Sequence, residues 1–566
     1  MDVIVHCSDM GATADELRGI GAGSVDDSKE TLEKYSRDAS LFRVLPSAVI
    51  QPQNAGDVEK IVAFVLKKKS AGEAISVTAR SGGTDMSGGP LNDSIILDMR
   101  ALNHLLELGD QYAVVEPGMY FRDFDKETKK KNLELPSYTA SREICTVGGM
   151  VANNSGGEKN LKYGKTARYV EELDVVLSDG KVHTLKNLEG EALKVKLAEQ
   201  SFEGDVYRAV SKLIRENRKT IEEGKPHVEK NSSGYALWDM GDPDASAGAG
   251  GVPSLNLARL MVGAQGTLGL ITSIRFGLVH PKPYASMLVI FLKDLKGLGH
   301  LVPEVLKHDP DSFESYDDHT FSLAIKYFPE FAAQMKTGII RLGLSLLPEM
   351  WMLLSGGIPK LVLMVEFRAD EQAEALANAR VLSAAVLRLG LGNAMHIEKD
   401  EHAARKYWTI RRESFNLLRK KVRGMRTAPF IDDFVVPPFS LGEFLPKLTD
   451  ILSHYDLVYT IAGHVGDGNF HIIPLMDPTR PDGVKIIEEL SHKVYDLVLS
   501  YHGSISGEHN DGLVRTPYVA QMFGAKMEKL FEEIKKIFDP LNIFNPGKKV
   551  GMSFARAQKY LDLSVK

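Results

Sequence analysis

Two histidines, His464 and His471, flank an Asp-Gly pair in the segment Ala-Gly-His-Val-Gly-Asp-Gly-Asn-Phe-His. An Asp-Gly pair between extended residues predicts a two-residue hairpin loop. That register would place His464 opposite His471, so both imidazoles would leave one face of the ribbon with their Cβ atoms ~5 Å apart. Imidazoles this close can share a divalent ion. From the spacing alone, two polar hairpin residues without a metal are the simpler interpretation.

A carboxylate commonly completes a site of two histidines and one acid, and such a site keeps a coordination position open for a substrate. Glu508, in the segment Gly-Ser-Ile-Ser-Gly-Glu-His that ends at His509, is the candidate third ligand. Zinc suits this donor set, and Mn²⁺, Fe²⁺ or Co²⁺ could also occupy it. The candidate metal site therefore consists of His464, His471 and Glu508.

Length and composition bound the class of protein. The chain has 566 residues, 43% hydrophobic and 25% charged, as in a soluble globular protein with two or more domains. A net charge of −6 offers no basic surface, so nucleic acid is not expected as a partner. Cys7 and Cys145 are too few for a disulfide framework or an iron–sulfur cluster. The N-terminus lacks the pattern of a secretory signal, so a cytoplasmic protein is expected.

The first part of the chain alternates strand and helix patterns. Residues 1–40 indicate a polar arm with one short helix, and a strand then begins at Ala48. Apolar residues recur at helical spacing from Val58 to Val65, after two candidate caps, Asn54 and Asp57. Further strands are predicted at 74–79, 94–99 and 113–116. The first strand-to-helix junction lacks the glycine fingerprint of a doubly wound dinucleotide fold, which argues against that fold.

The pattern changes after Pro281, where a second domain is expected to begin near Pro283. Residues 287–292 and 361–367 are predicted strands, and residues 371–389 form an alanine-rich helix that should stop at Gly390.

Three glycine-rich loops precede this change. They run from Arg80 to Gly89, from Thr146 to Gly157 and from Gly263 to Gly269. Successive glycines let consecutive backbone N–H groups converge on an anion because no Cβ stands in the way. Each loop alone is typical of a bare turn, but three such loops beside strand-like runs favour a phosphate-bearing ligand.

These loops, taken in order with Lys162-Tyr163-Gly164, resemble the FAD domain of the vanillyl-alcohol-oxidase flavoproteins, also called PCMH-type. The His464 to His471 and Gly503 to His509 motifs resemble the branch of D-2-hydroxyglutarate dehydrogenase, D-lactate dehydrogenase and the glycolate oxidase flavin subunit. The resemblance covers roughly 47–548. It implies an α+β fold with a two-subdomain FAD-binding domain, an antiparallel-sheet cap and a C-terminal return to the flavin domain. The expected boundaries are 1–44 for the arm, 45–282 for the FAD domain, 283–520 for the cap and 521–566 for the return.

The resemblance also assigns residues to FAD. Some relatives bind flavin covalently through a histidine in the first glycine loop, where this chain has Gly-Thr-Asp, so dissociable FAD is expected. The residues expected to bind FAD are Arg80, Ser81, Gly82, Gly83, Thr84, Asp85, Ser87, Gly88, Pro117, Gly118, Thr146, Gly148, Gly149, Ala152, Asn153, Asn154, Gly156, Gly157, Tyr163, Gly164, Gly266, Thr267, Gly269, Ile271 and Asn545.

A predicted cap helix over 407–418 carries the candidate substrate ligand. Trp408 and Arg411 share its apolar face with Phe415 and Leu418, whereas Arg412 should be solvated. The guanidinium fork of Arg411 suits a substrate carboxylate, but a structural acid would serve equally well. A tryptophan-x-x-arginine motif in the family favours the substrate role. The hydroxyglutarate branch has a lysine before the next strand, where this chain has Ile-Asp-Asp over 431–433, which weakens the expectation of hydroxyglutarate itself.

The expected function is FAD-dependent oxidation of a D-2-hydroxy acid, such as lactate, glycolate or 2-hydroxyglutarate, to the 2-oxo acid. Arg411 would hold the substrate carboxylate, His509 would take the hydroxyl proton as general base and the C2 hydride would pass to the flavin. Electrons would leave to a separate acceptor: a quinone, an electron-transfer protein or an iron–sulfur subunit. The alternatives are a flavoenzyme of the same fold with non-redox or alcohol and aldehyde chemistry, and a non-catalytic flavin-binding subunit.

The expected partners include a second copy of the chain, as a homodimer, and the inner face of a membrane as a peripheral contact. The apolar stretch 338–355 is interrupted by Pro348 and Glu349, so it is too short to span a bilayer. Two short helices packed on the cap are the simpler interpretation, and a docking surface for a membrane or a redox partner is the other.

Overall fold

The computed structural model describes residues 14–245, 251–326, 357–391, 394–421 and 424–564, without the side chains of 323–324 and 413–421. The apolar stretch 338–355 lies outside the described residues, so its two interpretations stay open. In the described part of the chain, the helices are too short or too polar to cross a membrane.

The first layer is a four-stranded sheet in the order β1-β2-β4-β3. Strands β2, β3 and β4 are parallel, and β1 pairs antiparallel with β2. The N-terminal segment therefore belongs to this sheet, and it carries two helices (14–19 and Lys29–Tyr35) where one was predicted. The strands are β1 Ser24–Asp26, β2 Ala48–Gln51, β3 Val77–Arg80 and β4 Ile95–Asp98.

The helix Ala55–Ser70 packs on this sheet as its pattern predicted. The side chain of Asn54 accepts a hydrogen bond from the backbone N–H of Asp57 at 3.0 Å, so Asn54 is the cap. Val58, Ile61, Val62 and Val65 are fully buried against Ile50, Val77, Ile95 and Leu97 of the strands.

The second layer of the flavin domain is a six-stranded antiparallel sheet in the order β5-β6-β10-β7-β8-β9. Alternate residues of β10 are buried because one face of the sheet packs on the core. The strands are β5 Leu105–Leu108, β6 Tyr112–Val115, β7 Val170–Val176, β8 Val182–Glu189, β9 Ser254–Asn256 and β10 Leu270–Gly277. The helices between them are Phe121–Thr128, Val147–Asn153, Asn160–Tyr163, Gly190–Ala198, Phe202–Glu216, Arg218–Gly224 and Leu257–Met261.

The cap is built on a seven-stranded sheet in the order β14-β11-β13-β12-β17-β18-β16, with antiparallel neighbours. The two-stranded β15-β19 ribbon stands apart. The strands are β11 Tyr284–Leu292, β12 Ser312–Asp317, β13 Leu361–Ala369, β14 Met395–Glu398, β15 Arg426–Thr427, β16 Phe434–Val435, β17 Ile461–His464, β18 Asn469–Ile472 and β19 Leu475–Met476. The helices are Leu298–Leu306, Asp318–Lys326, Gln372–Arg388, Glu401–Lys421, Leu441–Ser453 and Gly483–Ser500.

Strand β11 is buried on both faces because helices cover both sides of the cap sheet. Leu288 and Ile290 pack in one core with the helix Gln372–Arg388, and Met287 and Val289 pack in another with the helix Glu401–Lys421. The second helix carries Arg411, so this packing sets where the guanidinium lies.

The hairpin that carries the two histidines differs from its predicted register. His464 pairs with Asn469 and His471 pairs with Ala462, so the loop has four residues and the predicted two-residue loop is wrong. Gly468 has a φ of 69°, and a Cβ there would lie 1.8 Å from the carbonyl oxygen of Val436. The shift keeps both imidazoles on one face as diagonal neighbours, with ring centroids 5.4 Å apart.

The C-terminal segment returns to the flavin domain as expected. After the helices Gly512–Arg515 and Val519–Phe538, the backbone N–H of Val77 donates to the carbonyl of Ile543 at 2.8 Å. The last helix, Phe554–Ala557, packs instead on the cap core. The boundaries at 44, 282 and 520 stay predictions.

Asn545 joins two glycine loops, so replacing it should weaken both the fold and FAD retention. Its amide donates to the carbonyls of Gly89 at 2.9 Å and Gln265 at 2.7 Å while buried. Asn545→Ala should lower the free energy of unfolding by about 2–4 kcal/mol, because two buried acceptors lose their donor. The exposed Asn542, replaced by glycine, is the control. Equal stability of both variants in urea would contradict the assignment.

Candidate active site

A cleft opens in the flavin domain where the three glycine loops meet. Its walls contain sixteen residues that the sequence assigned to FAD, together with two from the metal motif, Glu508 and His509. The sixteen are Arg80, Ser81, Gly82, Gly83, Thr84, Asp85, Pro117, Thr146, Gly148, Gly149, Ala152, Asn153, Gly156, Gly266, Gly269 and Ile271.

Glycine is required where these loops pack closely. A Cβ on Gly82 would lie 2.6 Å from the carbonyl oxygen of Ile144, and a Cβ on Gly148 would lie 2.4 Å from Pro117. The walls are therefore mostly backbone and small side chains. A cleft with this lining fits a phosphate-bearing cofactor such as FAD.

Nine residues assigned to FAD do not line the cleft but support it: Ser87, Gly88, Gly118, Asn154, Gly157, Tyr163, Gly164, Thr267 and Asn545. Thr267 donates to the carbonyl of Ala264 at 2.6 Å, and Asn154 accepts from the backbone N–H of Ala167 at 3.0 Å. These bonds fix the loops from behind, so the resemblance assigned the right segments but not every contacting side chain.

Sequence reasoning missed part of the wall. Gln265 lies inside the third glycine loop and could have been included on that ground. The 139–141 stretch carries no glycine or charge pattern, so nothing in it signalled a site. The unassigned lining residues are Ala79, Met86, Gly89, Pro90, Met99, Thr139, Ala140, Ser141, Cys145, Met150, Ser155, Met261, Ala264 and Gln265.

Three imidazoles converge on one carboxylate oxygen beside the cleft. Glu508 Oε1 lies 3.5 Å from Nε2 of His464, 3.3 Å from Nε2 of His471 and 3.9 Å from Nε2 of His509. Donor atoms bound to one ion at about 2.0–2.2 Å lie roughly 3.3–3.6 Å apart in tetrahedral geometry. The distances of His464 and His471 from Glu508 Oε1 therefore fit ligands that share a divalent ion.

Two buried carboxylates orient these rings. Nδ1 of His471 donates to Asp432 Oδ1 at 3.1 Å, Nδ1 of His509 lies 2.7 Å from Asp432 Oδ2, and Nδ1 of His464 lies 2.7 Å from Glu314 Oε1. An ionised carboxylate only accepts, so Nδ1 of His471 and Nδ1 of His464 carry a proton, whereas the contact between His509 and Asp432 is an ion pair without hydrogen-bond geometry. Each Nε2 is thereby directed toward Glu508, as in the carboxylate–histidine arrangement around metal ions.

The charges of this cluster shift several pKa values. Burial alone would raise the pKa of Asp432, but the charges of His509 and His471 lower it overall. Burial would lower the pKa of His471, but Asp432 raises it to about 10. Burial would raise the pKa of Glu508, and the charges of Lys230 and His464 hold it well below its usual range. The carboxylates therefore stay ionised, ready for a cation.

Asp433 also lies near the cluster, since it could supply a ligand atom within 4.8 Å of those of His471, Glu508 and His509. Its carboxylate is already used by the backbone. It accepts from the N–H of Glu508 at 2.9 Å and of His509 at 2.7 Å, and from the hydroxyl of Ser506 at 2.8 Å. These bonds place Asp433 as an anchor for the loop. His464 is not a member of this group of four, so its role as a metal ligand stays a prediction.

Of the two arginines of the cap helix, Arg412 differs from expectation, and both interpretations of Arg411 stay open. Arg411 forms a buried ion pair with Glu314, which is the structural-acid alternative, and its Nη2 lies 3.4 Å from Nδ1 of His464. Arg412 is not a solvated residue: it donates to Glu158 at 3.1 Å and stacks over Trp408 with Cζ 4.9 Å from the ring centroid. The prediction failed for Arg412 because its acidic partner comes from the distant flavin domain.

Family comparisons match both halves of the chain. Residues 46–186 match a family described as FAD binding domain, and residues 282–549 match the C-terminal domain of FAD linked oxidases.

Two curated relatives align with more than nine-tenths of this chain. The D-2-hydroxyglutarate dehydrogenase of Pseudomonas putida is 27% identical over 94% of this chain, but that span is only 51% of the relative. The D-lactate dehydrogenase of Archaeoglobus fulgidus is 27% identical, with 92% of this chain and 96% of the relative covered. The chain thus spans about half the length of some relatives.

A solved structure, the 4-ethylphenol oxidase from Gulosibacter chungangensis, superposes with a TM-score of 0.65. It is 16% identical and covers 96% of this chain and 97% of its own. The likeness shows that the two chains share a fold, in agreement with the predicted fold class.

The absence of histidine from the first glycine loop predicts dissociable FAD. His509, which comes from the metal motif, is the one histidine among the described residues that line the cleft. Acid precipitation of the FAD-loaded protein should leave the flavin in the supernatant. Flavin that stays with the precipitated polypeptide would contradict this expectation.

Asp432→Asn should weaken metal binding about 10–100-fold, the usual effect of removing a carboxylate that orients histidine ligands. Glu314→Gln should have a smaller effect, because Glu314 orients one imidazole whereas Asp432 orients two. Competition with a metal chelator, followed by metal analysis, measures both. Unchanged metal affinity in Asp432→Asn, with the fold intact by circular dichroism, would refute the role of Asp432.

Proposed function

We propose that this chain, which belongs to the FAD-linked oxidase family, oxidises a D-2-hydroxy acid to the corresponding 2-oxo acid. The observation that carries this proposal is the position of Glu508 and His509. They belong to the imidazole–carboxylate cluster and also line the glycine-walled cleft. A small substrate can therefore meet the metal ligands and the cofactor site at once.

The metal ligands proposed are His464, His471 and Glu508, and the glycine loops hold FAD. Bound FAD supplies a hydride acceptor, and a bound divalent ion supplies Lewis acidity that favours loss of a hydroxyl proton. His509 is the proposed general base, because its Nδ1 faces Asp432 and its Nε2 faces the cluster. Asp432 stabilises the imidazolium that forms when His509 takes the proton.

Arg411 is proposed to meet the substrate carboxylate. A guanidinium carries five N–H donors in a planar fork that matches a carboxylate, and the ion pair with Glu314 holds Arg411 in the site. Glu314 also contacts His464, so it holds the guanidinium and a proposed metal ligand in a fixed relation. That arrangement supports a substrate whose carboxylate and hydroxyl lie side by side, as in a 2-hydroxy acid.

Electrons must then leave for an acceptor outside these 566 residues, because two cysteines cannot hold an iron–sulfur cluster. A quinone, an electron-transfer protein and an iron–sulfur subunit all fit this role. The homodimer, the cytoplasmic location and the peripheral membrane contact stay predictions.

Anaerobic addition of D-lactate, glycolate or D-2-hydroxyglutarate should bleach the visible flavin absorption with at least one of the three, and L-lactate should act far more slowly. His471→Ala should remove bound metal and abolish bleaching but keep the spectrum of oxidised FAD, because His471 lies on cap strand β18. The exposed His454, also in the cap, is the control.

No bleaching by any of the three acids, with FAD and a divalent metal bound, would contradict the proposal. That result would favour a flavoenzyme of the same fold with other chemistry or a non-catalytic flavin-binding subunit.

A further inference from the structure

The site contains a further cation, the ammonium group of Lys230. Lys230 is fully buried, and its ammonium lies 2.8 Å from Glu508 Oε2. The other oxygen of the same carboxylate, Oε1, faces the three imidazoles at 3.3–3.9 Å. The two oxygens of Glu508 therefore have different partners.

The backbone beside Lys230 is fixed to the loop that carries Glu508. The N–H of Ser232 donates to the carbonyl of Ser506 at 3.0 Å, and the N–H of Gly234 donates to Asp511 at 2.9 Å. The hydroxyl of Ser233 donates to the same carboxylate at 2.6 Å. Lys230 thus cannot move away without breaking several buried hydrogen bonds.

Gly156 leaves the space in which the ammonium and the carboxylate meet. A Cβ on Gly156 would lie 3.2 Å from Glu508 Oε2 and 3.3 Å from Cε of Lys230. This glycine belongs to the second glycine loop and lines the cleft, so the flavin domain is shaped around the contact.

We propose that Lys230 is a positioning residue that keeps Glu508 a one-oxygen metal ligand and so preserves the coordination position that the substrate needs. This inference rests on the proposed metal site. A carboxylate can bind a small divalent ion through one oxygen or two. The ammonium pairs with Oε2, so Oε1 remains for the ion.

The charge of Lys230 acts in the same direction. A cation beside a metal ligand weakens the attraction between the site and a divalent ion, but it makes the site more favourable for an anionic substrate. Removing the cation should therefore strengthen metal binding while weakening substrate binding. A lysine with a merely structural role would, when removed, weaken both.

Zinc binding by the full-length, FAD-loaded protein tests the proposal. Lys230→Met should bind Zn²⁺ at least tenfold more tightly in competition with a chelator. Zinc K-edge X-ray absorption should show one additional oxygen ligand. Titration with pyruvate, a 2-oxo acid that cannot reduce flavin, should perturb the flavin spectrum only at concentrations at least tenfold higher than in the wild type.

Two further variants keep the test decisive. Lys230→Gln retains a neutral donor to Oε2, so it should fold, keep the ligand number of the wild type and gain zinc affinity more modestly. Lys159→Met is the matched control. Lys159 is also buried and pairs with Glu134 at 2.7 Å rather than with Glu508, so its loss should leave the zinc ligands unchanged.

The wild type must first be shown to bind both zinc and pyruvate. If Lys230→Met or Lys230→Gln then binds zinc no more tightly than the wild type, the proposal is overturned. A wild-type protein that binds FAD but no zinc would overturn the metal site itself, and the role of Lys230 with it. The two failures are therefore distinguishable.

Discussion

The loop over residues 505–511 is held between the flavin domain and the cap by buried charged side chains that bind its backbone. Asp433 accepts from the N–H groups of Glu508 and His509. Arg515 donates to the carbonyls of Ile505 at 3.0 Å and Asn510 at 2.9 Å, and Lys165 donates to the carbonyl of Gly507 at 2.6 Å. Burying charges costs free energy unless every partner is in place, so these groups permit one loop conformation.

The chemistry proposed for the chain depends on that loop because no single domain holds the whole site. The loop supplies Glu508 and His509, cap strands β17 and β18 supply His464 and His471, and the flavin domain supplies the cleft and Lys230. The imidazoles reach the cofactor cleft only when the two domains are packed together. Metal affinity, cofactor orientation and substrate position are thereby coupled through one short segment.

Much of this arrangement follows from local sequence signals. Helical spacing with a cap residue predicted the helix after Asn54, and the glycine loops predicted most of the cleft. The hairpin register was mispredicted because Gly468 packs against the backbone of Val436, a contact from the segment that follows β16. No pattern in the sequence indicates that Asp432 and Glu314 orient the imidazole rings, because these contacts exist only after residues distant in the chain come together.

The central claim is that the imidazole–carboxylate cluster works as a metal site for 2-hydroxy-acid oxidation at the flavin. Its most direct test is the anaerobic flavin spectrum of metal-stripped, FAD-loaded protein mixed with a D-2-hydroxy acid that bleaches the untreated protein. The account predicts no bleaching until about one equivalent of Zn²⁺ or another suitable divalent ion is added, and rapid bleaching afterwards. Full bleaching at the original rate in the metal-free protein would contradict it.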